Sequence, residues 1–149
     1  VGSGTTVERA DAMRSRADAV EELGIDAFAE SRSPVLFGHN PPPELVAEAA
    51  QLMVDSVRMP VYQWACNSMA DTDHRAALAE IAAPTLVVVG EHDGVTPPSL
   101  SKQLAAGILG AELVEISDAG HLANQERPEM FNDAVCAFLI GRSPLRADV

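Results

Sequence analysis

Two short stretches, Gly90-Glu91-His92-Asp93-Gly94 and Ser117-Asp118-Ala119-Gly120-His121, carry the residues whose types could do chemistry together. A carboxylate beside an imidazole fixes the imidazole's tautomer and stabilises its protonated form, as a general base serving a nucleophile requires. Asp93 and His121 are 28 positions apart, so the fold alone can join them. Taken singly, each has an ordinary explanation. Asp-Gly is a common turn former, and one loop histidine is weak evidence of function. The pair is informative only if the elements before the two loops set them side by side.

Those elements are legible. After Pro84, Thr85-Leu86-Val87-Val88-Val89 is a β-branched run with no polar face, the pattern of a strand covered on both sides in a parallel sheet. Thr96 is expected to cap a helix that Pro97 opens and that runs to about Leu109, and Glu112–Ile116 reads as a second strand. A strand–helix–strand unit of this kind has parallel strands and a right-handed crossover. Its post-strand loops then lie at one sheet edge, where open α/β sheets bind ligands. Parallel sheets only two strands wide are rare, and this chain offers two clear strands plus the tail of one at Val1. An apolar edge left open recruits another strand. The sheet is therefore expected to be incomplete on its own.

The remainder is helical. Thr5 and Glu8 suit a capping box, Val7, Ala10, Met13, Ala17, Val20 and Leu23 recur at helical spacing, and Gly24 is a stop. Residues 31–43 read as a loop into a second helix that starts with its prolines and carries Leu45, Val46, Ala49, Leu52, Met53 and Val57. Met59-Pro60 ends it, and 61–69 forms a short helix with the only Trp and Tyr. Asp71-Thr72-Asp73 caps a further helix over 75–81, and Pro128 opens a last one with Phe131, Val135, Phe138 and Leu139 inward. Tyr62, Trp64, Met53 and Met69 are candidate substrate contacts, with core packing an equal alternative for each.

Charge narrows the partners. Ten basic against 22 acidic side chains give −12, spread evenly: 12 acids and 6 bases over residues 1–75, 10 and 4 over 76–149. No basic face serves a nucleic-acid backbone or an anionic membrane, and no apolar run approaches the ~20 residues needed to span a bilayer. Cys66 and Cys136 fit no zinc or redox spacing and read as buried free thiols of a reducing, cytoplasmic compartment, with a single bridge as the alternative. Capping explains Asp71 and Asp73 without a metal, and His39 and His74 read as surface or helix-start residues. Asn124 and Glu126 read as loop stabilisers near His121, and His92 is not expected to share a ligand site with Glu91. No metal or cofactor is implied.

The stretches Ile81-Ala82-Ala83-Pro84-Thr85-Leu86-Val87-Val88-Val89-Gly90-Glu91-His92-Asp93 and Ala119-Gly120-His121-Leu122-Ala123-Asn124-Gln125-Glu126-Arg127-Pro128-Glu129-Met130-Phe131-Asn132 together resemble the C-terminal half of an α/β-hydrolase. The resemblance covers nearly the whole chain. More narrowly, the 3-oxoadipate enol-lactonase branch is the nearest likeness, although the net negative charge counts against a dicarboxylate substrate. The resemblance implies an α/β fold: residues 1–4 as the end of a core strand, 5–72 as the helical cap or lid, and 73–149 as the last strands and helices of the core. It also implies Asp93 as catalytic acid and His121 as catalytic base, in the fold's order.

One part of the family pattern is missing. None of the ten serines sits in G-x-S-x-G, and neither cysteine has the flanking glycines. The nucleophile and oxyanion-hole amides must then come from an N-terminal half outside this sequence, and the chain alone should not catalyse acyl transfer. The expected parent is an ester, lactone or thioester hydrolase with a nucleophile–His–Asp mechanism and a small-molecule substrate. The expected partner is an N-terminal companion, or a second copy at the open sheet edge. Alternatives are a parent with an Asp nucleophile (epoxide hydrolase or dehalogenase), and an inactive fragment or partner-binding module.

Overall fold

A computed structural model describes residues 6–141, so the strand tail expected at residues 1–4 lies outside the described residues. The chain divides into two compact units, one of Val1–Pro34 and Pro42–Ala77, the other of Val35–Pro41 and Leu78–Val149.

The first unit is helical: α1 (Val7–Leu23), α2 (Ile25–Arg32), α3 (Pro43–Ser56) and α4 (Val61–Ala70), then a 3₁₀ turn over Arg75–Glu80 that runs past its end. Thr6 caps α1, its Oγ1 accepting the Arg9 amide at 3.3 Å, whereas Thr5 of the expected capping box lies outside the described residues. Ala10, Met13, Ala17 and Val20 form the buried stripe of α1; Val7 and Leu23 at its ends are 73% and 57% exposed. Ala10, Met13 and Ala17 pack with Cys66 and Ala70 of α4, flanked by Met59 and Tyr62. A buried side chain of the size of Met13 contributes about 1.5–3 kcal/mol. At Gly24 the backbone adopts φ 78°, which a residue without Cβ reaches freely. That glycine stops α1 as expected, but its carbonyl also accepts the Phe28 amide at 3.0 Å and starts α2. The helical reach of 25–32 is thus a correction to the loop expected from residue 31. Residues 75–80 form a 3₁₀ turn rather than an α-helix, begun by Asp73 Oδ1 accepting the Arg75 amide at 3.1 Å.

The second unit holds β1 (Leu86–Gly90), α5 (Pro98–Gly107), β2 (Glu112–Ile116), the short α6 (Ala123–Glu126) and α7 (Pro128–Leu139). The strands pair in parallel, Leu86 opposite Glu112 through Gly90 opposite Ile116, and form a two-stranded sheet among the described residues. Val87 and Val89 are buried while Val88 is half-buried, so one face of β1 is more fully covered than the other. Ile116, Ala119 and Ala123 form the local core with Val88 and Val114 packed on it. Leu139, expected inward, is 73% exposed at the end of α7. Pro97, not Thr96, occupies the N-cap of α5. Cys66 is buried, but Cys136 is exposed, which corrects the expectation of two buried thiols; both are free. No described helix is long and apolar enough to cross a membrane.

Candidate active site

The parallel register brings the two post-strand loops together through backbone bonds that extend the ladder. The Glu91 amide donates to the Ile116 carbonyl at 2.9 Å and the His92 amide to the Ala119 carbonyl at 2.8 Å. Gly90 makes this approach possible. A Cβ there would overlap the carbonyl oxygens of Ala119 and Gly120.

On that frame, His121 Nδ1 lies 2.9 Å from Asp93 Oδ2. The Asp93 side chain is 4% exposed and the imidazole 36%. Asp93 Oδ1 accepts the Val95 and Thr96 amides, both at 2.8 Å, and Oδ2 also accepts the Thr96 hydroxyl at 2.8 Å. Burial alone pushes the Asp93 carboxyl up, but the bonds from His121 and Thr96 outweigh it and hold the group below its ordinary value. Asp93 is therefore an ionised acceptor at neutral pH. An ionised carboxylate only accepts, so a neutral His121 carries its proton on Nδ1 and presents a lone pair at Nε2. Any proton transfer must run through Nε2.

Thr96 is the residue that sequence reasoning missed. Its hydroxyl lies 2.8 Å from Asp93 Oδ2 and 3.3 Å from His121 Nδ1, so it braces the pair instead of capping α5. The available signal was its place three residues after Asp93, the spacing at which a carboxylate captures a backbone amide and a hydroxyl together. A pocket of about 130 Å³ lies against the pair, bordered by Val89, Gly90, Thr96, Ser101 and Phe131 among others. That is below the roughly 300 Å³ of the smallest usual ligand sites.

The other candidates belong to the first unit. Trp64 is 63% and Met69 43% exposed. Tyr62 packs on the α1–α4 core and meets Phe28 edge-on, ring centroids 6.1 Å apart. Met53 is half-buried, its Sδ 4.0 Å from the Ser33 hydroxyl.

Among the described residues, one group has the spacing to hold a cation, and it is not at the pair: Glu91, His92 and Asp118. His92 Nε2 stands 3.9 Å from Glu91 Oε2 and 4.0 Å from Asp118 Oδ1, so His92 does converge with its own neighbour, contrary to expectation. Glu91 already accepts the Asp118 amide at 3.1 Å and the His92 ring lies against that of His39, centroids 4.2 Å apart. These contacts tie the two post-strand loops to each other and to His39. Asp71 is paired with Arg14 at 2.5 Å and Asp73 with Arg75 at 2.6 Å.

The chain that carries this strand–helix–strand unit and its carboxylate–imidazole pair matches the alpha/beta hydrolase family over residues 2–134 and belongs to that family. It is similar to 3-oxoadipate enol-lactonase 2 of Acinetobacter baylyi, 29% identical over 136 residues, which cover 89% of this chain and 50% of the relative. Its fold is similar to that of a thermophilic esterase from Thermogutta terrifontis (TM-score 0.79, 28% identity, 92% of this chain and 52% of that one). It is likewise similar to the enol-lactonase from Burkholderia xenovorans LB400 (TM-score 0.78, 30% identity, 85% and 49%). The chain spans about half the length of the relatives it matches.

Proposed function

We propose that this chain contributes the acid and the base of a hydrolase that cleaves ester, lactone or thioester bonds by a nucleophile–His–Asp mechanism. The observation that carries the reading is the 2.9 Å contact between Asp93 Oδ2 and His121 Nδ1 on adjacent post-strand loops. The esterase and lactonase relatives supply the bond class. A nucleophile from residues outside these 149 attacks the carbonyl carbon while His121 Nε2 takes its proton. The resulting imidazolium is stabilised by ionised Asp93. Collapse of the tetrahedral intermediate breaks the bond to the leaving group, which receives the proton from Nε2. Water, deprotonated by the same nitrogen, then attacks the acyl-enzyme, and the acid product and free nucleophile are released.

The first unit is the lid of the proposed hydrolase. Trp64 and Met69 provide its exposed apolar surface, Met53 is a further contact, and Tyr62 is largely committed to the lid's own core. The two free thiols support a reducing, cytoplasmic compartment. Partnership follows from the missing nucleophile: an N-terminal segment, in the same polypeptide or as a companion chain, completes both sheet and site.

Native mass spectrometry of the purified protein, with a fluorophosphonate probe, tests this reading. A G-x-S-x-G-bearing segment accompanies the 15.7 kDa sequence and takes the label. An Asp at that elbow, with no labelling, moves the parent to the epoxide hydrolase or dehalogenase class. A folded 15.7 kDa chain found alone defeats the proposal.

A further inference from the structure

Residues 35–41 leave the helices of the first unit and pack as a strap within the second. The Leu122 amide donates to the Leu36 carbonyl at 3.1 Å. A Cβ on Gly38 would stand 3.1 Å from the Gly120 nitrogen and 3.2 Å from the Ala119 carbonyl carbon, and one on Gly120 would overlap the Phe37 backbone. Gly120, the residue before His121, is thus held between the end of β1 on one side and the strap on the other. One side chain bridges strap and loop. Glu126 Oε1 accepts the Gly38 amide at 2.8 Å, and Oε2 accepts the Gly120 amide at 2.6 Å.

We infer that Glu126 is a positioning residue for His121: its carboxylate clamps the histidine loop to the strap and so fixes where the imidazole meets Asp93. Two backbone donors converge on this side chain, and only a carboxylate offers an acceptor to each. A glutamine has one carbonyl oxygen, and its amide nitrogen would face the second N–H donor to donor. Glycines on both sides of the contact leave the loop with wide backbone freedom once the clamp opens. The 2.9 Å contact at Asp93 tolerates little of that freedom. The inference rests on reading His121 as the base.

Nitrogen-15 spectroscopy of the histidine side chains tests it in the protein carrying this sequence, with His121 assigned by its loss in His121→Gln. In the wild type, the proton shared with Asp93 gives one downfield Nδ1–H resonance and a single dominant tautomer. Glu126→Gln, with far-UV circular dichroism unchanged, is expected to lose that resonance and populate both tautomers. Glu126→Asp keeps both oxygens but withdraws them by about 1.5 Å; it is expected to show the same loss and serves if the glutamine variant does not fold. A folded variant of either kind with the wild-type Nδ1–H signature overturns the assignment, whatever its melting temperature. Unfolding of both assigns Glu126 to the scaffold and overturns it equally. Where the complete enzyme turns over, Glu126→Gln lowers kcat, by up to about 100-fold for a misplacement near 1 Å, with KM little changed. A raised KM at unchanged kcat counts against it. The spectroscopic readout needs no turnover, so failure of the proposed hydrolase activity is seen separately.

Discussion

Asp93→Asn replaces one oxygen by an NH₂ group, and the structure dictates which. The Val95 and Thr96 amides both point at Oδ1 from 2.8 Å and require an acceptor there. The asparagine carbonyl therefore takes that side, and the NH₂ group faces Thr96 Oγ1 and His121 Nδ1, at 2.8 and 2.9 Å in the wild type. The threonine hydroxyl can rotate to accept. His121 cannot keep its proton on Nδ1 against a second donor, so the proton moves to Nε2 and the lone pair there is lost. The stability cost follows from bond types. Bonds to a charged group contribute about 1.5–3 kcal/mol and neutral ones about 1, so weakening the two backbone bonds and the histidine bond costs roughly 2 kcal/mol at pH 7. Urea unfolding reads that cost, and histidine nitrogen-15 spectra read the tautomer. In the proposed hydrolase, an Asp-to-Asn change at such a pair is expected to lower kcat by about 10⁴. The pH dependence has a definite sign. Asp93 has a lowered native pKa, so the unfolded chain binds the proton more readily. Its contribution is full above the ordinary carboxylate value of about 3.9 and is lost as pH falls through the lower native one. The gap between wild type and variant therefore narrows on acidification below about pH 4. Asp73, held at about 2 by hydrogen bonds from Arg75, titrates in the same range but is common to both proteins and cancels. An asparagine variant that retains the Nδ1–H tautomer, or a gap unchanged across that range, refutes the reasoning.

Two further outcomes check the frame and the thiols. Gly90→Ala forces a Cβ into the carbonyl oxygens of Ala119 and Gly120, so it should lower unfolding free energy by about 3 kcal/mol, the top of the overpacking range; a wild-type urea midpoint would show that the two loops do not approach as described. A disulfide-exchange reagent should modify the exposed Cys136 promptly and Cys66, whose thiol is buried and pushed up in pKa by burial, only on unfolding; two fast thiols in the native state would contradict the α1–α4 packing.

The legible parts of the fold are those with a local cause. β1, β2, α3, α4 and α7 begin or end on prolines or follow periodic apolar residues, and each formed within a residue or two of its expected place. α2 was illegible because Gly24 both stops one helix and supplies the first carbonyl of the next. The apolar residues exposed on α4 and α7 follow helical spacing as well as the buried ones do. Trp64 and Leu139 show that periodicity finds a face without saying what covers it.

At the site, the same division separates Asp93 and His121 from what holds them. The pair could be read because two strands with an unbroken register carry their loops to one edge, and register is a consequence of short-range pattern. Thr96 bonds to Asp93 rather than capping α5. A threonine before a proline suits a helix start, and its place three residues after Asp93 suits the carboxylate equally; local pattern does not choose between them, and in the fold Asp93 takes the hydroxyl, the amide and the neighbouring amide together. The sequence marks Glu126 only as a loop stabiliser, since one of its two donors, Gly38, lies 88 residues away on a strap within the helical sequence. A carboxylate that joins distant backbone amides leaves no periodicity behind. Its trace is the glycines it requires, and Gly38 and Gly120 acquire that meaning only when the fold sets them against each other.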